Sequence, residues 1–360
     1  MDRGSVLSTS PVLVDHSRLR FFIALAFETV GMPSADARTV AALMADADLQ
    51  GSEGHGVIRL PQYVKRIRAG GVNLNPNIRV ERERAAMALI HGDNAMGHLV
   101  MKRAAELAID KARTAGVAWV GAQWSNHAGP ASLYARMMLA HDMIGLYFAV
   151  GNANHLPPWG GIDMLLSTNP IAAAIPAGEE PPIVLDMATT VAAYGKVKAK
   201  AARGEMMPEG WMIDREGNPL TDPRRANEGF LLPIGGYKGY GLALVVGLLA
   251  GTLNGAAMGK DVIDFNHDAA TATNTGQAIM AIDPSAFGEI GEFKAAVDTL
   301  IRDLHASQRM PGVDAILVPG EQSHARAVAQ RAGGIAIAPA LMNTLDRLAE
   351  ELEIPPLRTH

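Results

Sequence analysis

Apolar residues recur at helical spacing over about Ser17–Val30 and again over about Ala35–Leu49, with Ser34 in the place of an N-cap. The stretch Gly51-Ser52-Glu53-Gly54-His55-Gly56 breaks that rhythm. A third helix is predicted beyond it, and Pro61 is acceptable there because a first-turn residue has no N–H bond to lose. Residues 78–92 alternate in short runs and predict a hairpin, and about Leu99–Ala115 predicts another helix. The texture then changes. Val117–Val120, Ile144–Val150, Ile171–Ile175, Ile183–Leu185 and Ala278–Ile282 read as short strands, and helices are predicted at Ala131–Ala140, Thr190–Ala201 and Tyr240–Leu253. Met206–Pro223 is a polar, Pro- and Gly-rich excursion, while Glu292–His305 and Pro339–Leu352 are amphipathic helices. Residues 1–14 read as a loose arm. The pattern predicts a helical N-terminal part, an α/β middle, and a helical C-terminal segment that packs back on the first part.

Composition narrows the function. The 360 residues hold 32 Lys and Arg against 37 Asp and Glu, a net charge of −5 with no basic run, which argues against a nucleic-acid binder. A hydrophobic fraction of 48% with 19% charged residues excludes a disordered chain, and the length suffices for about two domains. Cysteine is absent, so disulfides, thiolate catalysis and Cys-ligated metals are excluded, and no other ligand cluster suggests a metal. The uncharged stretch between Lys238 and Lys260 is diluted by glycine, Thr252 and Asn254. Its unbroken apolar part falls far short of the ~20 residues that a span needs, so it reads as a buried core helix. Phe21–Phe27 belongs to an amphipathic helix rather than a secretory signal, and a cytoplasmic protein without membrane association is expected.

The common motifs fail. Gly239-Tyr240-Gly241 is followed by Leu244 where a dinucleotide fingerprint needs glycine, and Gly195-Lys196-Val197 is not a Walker A sequence. H-E-x-x-H and G-x-S-x-G are missing. Histidines inside glycine-rich breaks remain. Gly54-His55-Gly56 with Arg59 lets backbone approach a ligand, offers the planar fork that pairs with a carboxylate, and supplies a proton donor near neutral pH; a turn histidine beside a surface arginine is the plainer reading. His127 follows an apolar strand and precedes a helix, where α/β proteins bind ligands, and it suits general acid/base work; it could equally cap that helix. Asn152 through Gly161 is a rigid loop with His155 and Trp159, open to reading as a structural turn. Asp186 reads as a helix cap, as a partner fixing a histidine tautomer, or as an acceptor for a cofactor ribose. Lys238, at the start of the uncharged helix, could meet phosphate or simply lie in solvent. Pro319-Gly320-Glu321 is by itself a plain turn.

Taken in order, these segments resemble one family. They are Ala47-Asp48-Leu49-Gln50-Gly51 leading to His55-Gly56-Val57-Ile58-Arg59, then Asn126-His127-Ala128-Gly129, Pro158-Trp159-Gly160-Gly161 and Ser167-Thr168-Asn169-Pro170. Val184-Leu185-Asp186-Met187-Ala188-Thr189, Pro208-Glu209-Gly210-Trp211, Thr221-Asp222-Pro223, Leu232–Gly239 and Pro319-Gly320-Glu321 follow. The series resembles the type-2 malate/L-lactate dehydrogenases, the sulfolactate dehydrogenase-like oxidoreductases, over about residues 15–355.

The resemblance implies an α/β protein with a mixed-sheet, non-Rossmann cofactor-binding domain. Its parts would be a helical domain of 15–76 joined by 320–355, a substrate and dimer region of 77–125 and 255–319, and an NAD(P)-binding region of 126–254. It implies a homodimer using NAD or NADP to move hydride to or from the 2-carbon of a small 2-oxo or 2-hydroxy acid. His127 would be the proton donor/acceptor, assisted by His55, with Arg59 on the substrate carboxylate. Asn152, Asp186, Met187, Ala188, Lys238, Pro319, Gly320 and Glu321 would hold the dinucleotide. The same fold also accommodates reduction of a cyclic ketimine carboxylate, or a dinucleotide-binding protein without turnover. Two departures bear on the substrate: Gly54 stands where serine is frequent, and Asn152–Pro158 carries asparagine in place of serine and an extra His155.

Overall fold

The computed structural model describes residues 11–358, the side chain of Ala202 excepted, and the first ten residues of the arm expected over 1–14 lie outside them. In chain order the strands are β1 (Val12–Val14), β2 (Arg79–Glu83), β3 (Met87–His91), β4 (Val117–Ser125), β5 (Ile144–Ala149), β6 (Asn154–Leu156), β7 (Leu166–Ser167), β8 (Ile171–Ile175), β9 (Ile183–Met187), β10 (Met212–Asp214), β11 (Gly229–Leu231), β12 (Thr275–Ile282) and β13 (Ile335–Ile337). The helices are α1 (His16–Thr29), α2 (Ser34–Leu49), α3 (Leu60–Arg68), α4 (Gly97–Ala115), α5 (Ser132–Ala135), α6 (Tyr194–Arg203), α7 (Tyr237–Ala250), α8 (Ile290–Ala306), α9 (Glu321–Gly333) and α10 (Pro339–Glu351). They fall into two compact units, one of the described residues up to Gly70 and from Gln322 onward, the other of Gly71–Glu321.

In the helical unit, Asp15 starts α1 by accepting the N–H groups of Ser17 and Arg18 at 2.8 and 3.1 Å. Leu19, Ile23 and Phe27 of α1 are fully buried, as are Val40 and Met44 of α2 and Leu345 of α10. Two details differ from expectation. Ser34 is the first helical residue rather than the cap, a place taken by Pro33. Residues 12–14 are not loose: β1 pairs antiparallel with β13, Val12 opposite Ile337. A three-residue strand is too short to display a period, which is why neither member of this pair is legible beforehand.

The second unit is built on a seven-stranded sheet of order β2-β3-β4-β12-β5-β8-β9. Only β3 and β4 are adjacent and parallel, joined through α4; every other neighbouring pair is antiparallel. It follows that β4, β5 and β9 run in one direction, so Ser125, Ala149 and Met187 leave the sheet at the same edge, where Thr275 enters β12. Because β12 lies between β4 and β5, the stretches 77–125, 126–254 and 255–319 share this one sheet.

Three helices depart from their predicted form. The helix expected over Ala131–Ala140 is one α-turn followed by a 3₁₀ segment. That expected from Thr190 begins at Tyr194, because Thr189 N–H binds Thr168 O at 2.9 Å and Thr190 bridges Pro233. Helix α7, uncharged after Lys238, is not buried all round. Gly239, Ala243, Gly247 and Ala250 face the protein, while Leu242, Val245 and Leu248 are exposed. Small residues are required inside, since a Cβ on Gly239 would collide with Ile234 O. Among the described residues no helix is long and apolar enough to cross a membrane.

Candidate active site

In the helical unit, Gly51 (φ 81°) ends α2 in a left-handed conformation that suits glycine. Asp48, in the last turn of that helix, is 4% exposed and accepts Val57 N–H at 2.7 Å. Its carboxyl group lies over Gly56, where any Cβ would collide with it. From the other side, Arg59 Nε donates to Gly54 O at 2.8 Å and Nη1 to Gln62 Oε1 at 2.9 Å. The segment carrying His55 is thus held at both ends. Burial, and then the Arg59 charge, push the His55 pKa down to about 4. At neutral pH this ring is an uncharged hydrogen-bonding group, which replaces the expectation of a charged proton donor there. The Arg59 pKa is lowered by burial, yet a guanidinium stays charged at any accessible pH.

Burial raises the Asp48 pKa to about 7, with Glu53 adding to it and the Val57 hydrogen bond opposing it. The unfolded chain releases this proton near the ordinary carboxylate value of 3.8. Between those values the folded state binds more protons, so stability falls as pH rises. Urea unfolding of wild type is expected to lose up to a few kcal/mol from about pH 4 to about pH 7 on this account, and Asp48→Asn should remove that slope. An unchanged slope would contradict the assignment. A second expectation concerns Gly54. A Cβ there has open space, so Gly54→Ser is expected to shift the urea midpoint by no more than ~0.5 kcal/mol. Its effect should fall on KM for the acid substrate rather than on kcat.

In the other unit, His127 lies just past β4. Asn126 Nδ2 donates to Asn94 O, Asn94 Oδ1 and Ala95 O at 3.1, 2.9 and 2.9 Å, which fixes the segment from below. Gly97, opening α4, packs so closely that a Cβ would collide with Asn126 O. Gly129 N–H lies 3.4 Å from His127 Nδ1, a long contact that sets no tautomer for the ring. Phe265 stacks on the imidazole, centroids 5.0 Å apart and planes 13° from parallel.

The residues suggested for a dinucleotide divide. Asn152, Ala188 and Lys238 are drawn to one end of the sheet by buried Asn169 and by Thr189. Asn169 Oδ1 accepts Gly151 N–H at 3.3 Å and Nδ2 donates to Ala243 O at 2.8 Å; Ile234 N–H donates to Thr189 O at 3.0 Å. Asn152 points inward, its Nδ2 donating to Thr275 Oγ1. Asp186 lies within β9, followed by Met187, so it does not cap the helix after it. It accepts Ser132 N–H at 2.9 Å and thereby caps α5, 54 residues away in sequence. The surrounding protein raises its pKa, while Ser132 and the Arg136 charge pull it down. Pro319, Gly320 and Glu321 lie at the other end of β9: Val184 N–H donates to Pro319 O at 2.8 Å, and Gly320 (φ 100°) leaves no room for a Cβ beside Val184. Glu321 is held by His305 Nε2 at 2.6 Å and by Val318 N–H at 3.0 Å.

A dinucleotide fits what is present at the α7 end. Gly235 and Gly236 (φ 57° and 66°) turn the chain into the first turn of α7, whose N–H groups and exposed Lys238 suit phosphate. Trp159 covers Gly236, 3.3 Å from where a Cβ would stand, meets Tyr237 edge-on and is still 57% exposed, leaving a flat apolar surface for a planar ring. His155 stacks on Tyr194 at 4.0 Å, and burial pushes its pKa down to about 4. No metal-ligand cluster occurs among the described residues.

A profile of the malate/L-lactate dehydrogenases matches residues 14–346. The chain belongs to that family. It is 39% identical to the L-sulfolactate dehydrogenase of Methanothermobacter thermautotrophicus over 90% of this chain and 93% of that one. Among solved structures it superposes on malate dehydrogenase from Pyrococcus horikoshii with a TM-score of 0.88 at 36% identity, covering 99% and 100% of the two chains. Δ1-piperideine-2-carboxylate reductase from Pseudomonas syringae gives 0.84 at 30%, covering 94% and 100%. The mixed α/β fold is the family's, and the protein is an oxidoreductase of the CH–OH class. Several residues carried no role in the sequence reading: Asp48 and Asn169, though quoted in motifs, Phe265 and Thr275 in the arrangement above, and Thr273, whose hydroxyl donates to Ser125 O at 3.0 Å. The only signal for Phe265 is a lone aromatic in Asp264-Phe265-Asn266-His267-Asp268, and for the threonines an unusually polar entry to a strand.

Proposed function

We propose that this protein interconverts a small 2-oxo acid and its 2-hydroxy acid with NAD or NADP as redox partner. The observation that carries the reading is the His127 imidazole, fixed at the carboxyl end of β4 on the same sheet edge as the Asn152 and Ala188 loops. When bound, the dinucleotide supplies or accepts the hydride at the 2-carbon. As an imidazolium, His127 gives its Nε2 proton to the oxygen at that carbon in reduction and is left neutral; in oxidation the neutral ring takes the proton back at Nε2. Arg59 pairs with the substrate carboxylate through its fork, and neutral His55 hydrogen-bonds the substrate. Asn152, Asp186, Met187, Ala188 and Lys238, in a binding region of 126–254, and the Pro319–Glu321 turn outside it are assigned to the dinucleotide, with Lys238 on phosphate.

A panel of 2-oxo acids, malate- and lactate-like products included, assayed with NADH and with NADPH tests this by loss of nicotinamide absorbance. No turnover with any acid overturns it and leaves a dinucleotide-binding protein. The likeness to Δ1-piperideine-2-carboxylate reductase supports a second reading, a cyclic ketimine carboxylate as substrate. In that reading the same imidazole would serve the nitrogen, and turnover of the ketimine with none of the oxo acids would select it.

The outer face of α7 supports a homodimer. Leu242, Val245 and Leu248 form an exposed, uncharged stripe at helical spacing. Val245→Asp is expected to halve the mass measured by light scattering after gel filtration. Wild type eluting as a monomer, or a variant still dimeric, would rule out this face. A dimeric, acidic, dinucleotide-dependent enzyme with no membrane-crossing helix among its described residues is assigned to the cytoplasm.

A further inference from the structure

One loop ties Asn152 to the 125–127 segment, and it does so twice. Phe265 places its ring on the His127 imidazole, 5.0 Å between centroids and 13° between planes, while its own N–H donates to Asn152 O at 3.1 Å. Ten residues on, the return limb repeats the connection through hydroxyls. Asn152 Nδ2 donates to Thr275 Oγ1, Thr275 Oγ1 donates to Thr273 Oγ1 at 2.9 Å, and Thr273 Oγ1 donates to Ser125 O at 3.0 Å and faces Asn126 Oδ1 at 3.3 Å. Thr273 and Thr275 are 3% and 4% exposed, so these bonds do not compete with bulk water. The direction of donation is set along the whole chain, because Asn126 spends its own amide hydrogens on Asn94 and Ala95. Gln277 Nε2 adds a bond to Asn126 O at 3.0 Å.

We propose that Phe265 and Thr273 are positioning residues for His127. Together they fix the plane of the imidazole and tie it to the Asn152 loop. The proposal rests on the reading that His127 moves the substrate's proton, but its geometric part concerns the protein alone. Phe265 covers one face of the ring, and the threonine bonds to Ser125 O and Asn126 Oδ1 fix the segment from which the ring projects. A proton donor misplaced by about 1 Å costs on the order of 10²-fold in rate, so two anchors on one ring have a large effect available to them.

Two measurements test it. In the free protein labelled with ¹³C-histidine, the His127 ring correlations are assigned by their loss in His127→Asn. Phe265→Leu keeps the bulk but removes the ring current, and is expected to move the His127 Cε1–H resonance by several tenths of a ppm while leaving His91 and His305 in place. In turnover, Thr273→Val is expected to lower kcat about 10-fold, with KM and dinucleotide Kd within about two-fold of wild type, and Thr273→Ser is expected to restore it. The valine variant should also show a larger deuterium isotope effect with a C4-dideuterated dinucleotide. In a His127→Asn background the same Thr273→Val change should add no further loss. Unmoved His127 resonances, failed rescue by serine, or additive losses in the double variant would overturn the proposal. If instead His127→Asn itself retains full turnover, the role given to His127 fails, whereas the resonance shift still reports on the geometry.

Discussion

His127→Asn is expected to lower kcat by about 10²–10⁴-fold while leaving dinucleotide affinity within a few-fold of wild type. Asparagine is close to the imidazole in size at Cγ and Nδ, and the bonds that hold the segment do not come from the ring. They come from the Asn126 amide on Asn94 and Ala95 and from the Thr273 hydroxyl on Ser125 O. The variant should therefore unfold within about 1 kcal/mol of wild type, so that lost turnover reports chemistry rather than collapse. The amide cannot exchange a proton with the substrate oxygen near neutral pH, and that step would fall to water. His55 is not a substitute. With its pKa held at about 4, it is a neutral ring that can orient a carbonyl but carries no charge-bearing proton to give. The decisive measurement is single-turnover reduction with tight dinucleotide binding verified independently. A normal hydride-transfer rate in the variant would remove the imidazole from the mechanism.

The place of His127 was legible because the apolar run Val117–Val120 before it and the Gly-Pro pair at 129–130 after it mark a strand and a turn on either side, although the strand itself runs on to Ser125. The apolar runs of β5, β8 and β9 announced themselves in the same way. What escaped reading depended on partners remote in sequence. Asp186 looked like a cap for the helix after it, yet it caps α5, and only the folded sheet brings those two together. The outward face of α7 was misread because an uncharged run gives no sign of which side is covered; the glycine and alanine positions at 239, 243, 247 and 250 are the code, and they show it only against the neighbours they touch. Phe265 and Thr273 lie in a segment whose composition says loop. Their significance is entirely in what they contact.

Arg59→Lys is expected to lower kcat/KM for the acid substrate by about 30- to 10³-fold, chiefly through KM, even though the charge is retained. Truncating or misfitting one partner of a desolvated, hydrogen-bonded charge pair costs roughly 2–5 kcal/mol, and lysine replaces a planar fork with a point charge. Arg59 is already shaped by its surroundings, with Nε on Gly54 O and Nη1 on Gln62 Oε1 holding the guanidinium plane. Lysine makes neither bond in that geometry, so part of the loss is the loosened 54–59 segment, on the order of 1 kcal/mol for the neutral carbonyl bond. The two contributions separate with a substrate whose carboxylate is a methyl ester. Wild type should turn the ester over poorly and the variant only about 5-fold worse, the part due to the loosened segment, because the carboxylate interaction has been removed from both. His127→Asn, by contrast, should depress acid and ester alike. Equal loss on acid and ester in Arg59→Lys would mean that the guanidinium holds its own loop and not the substrate.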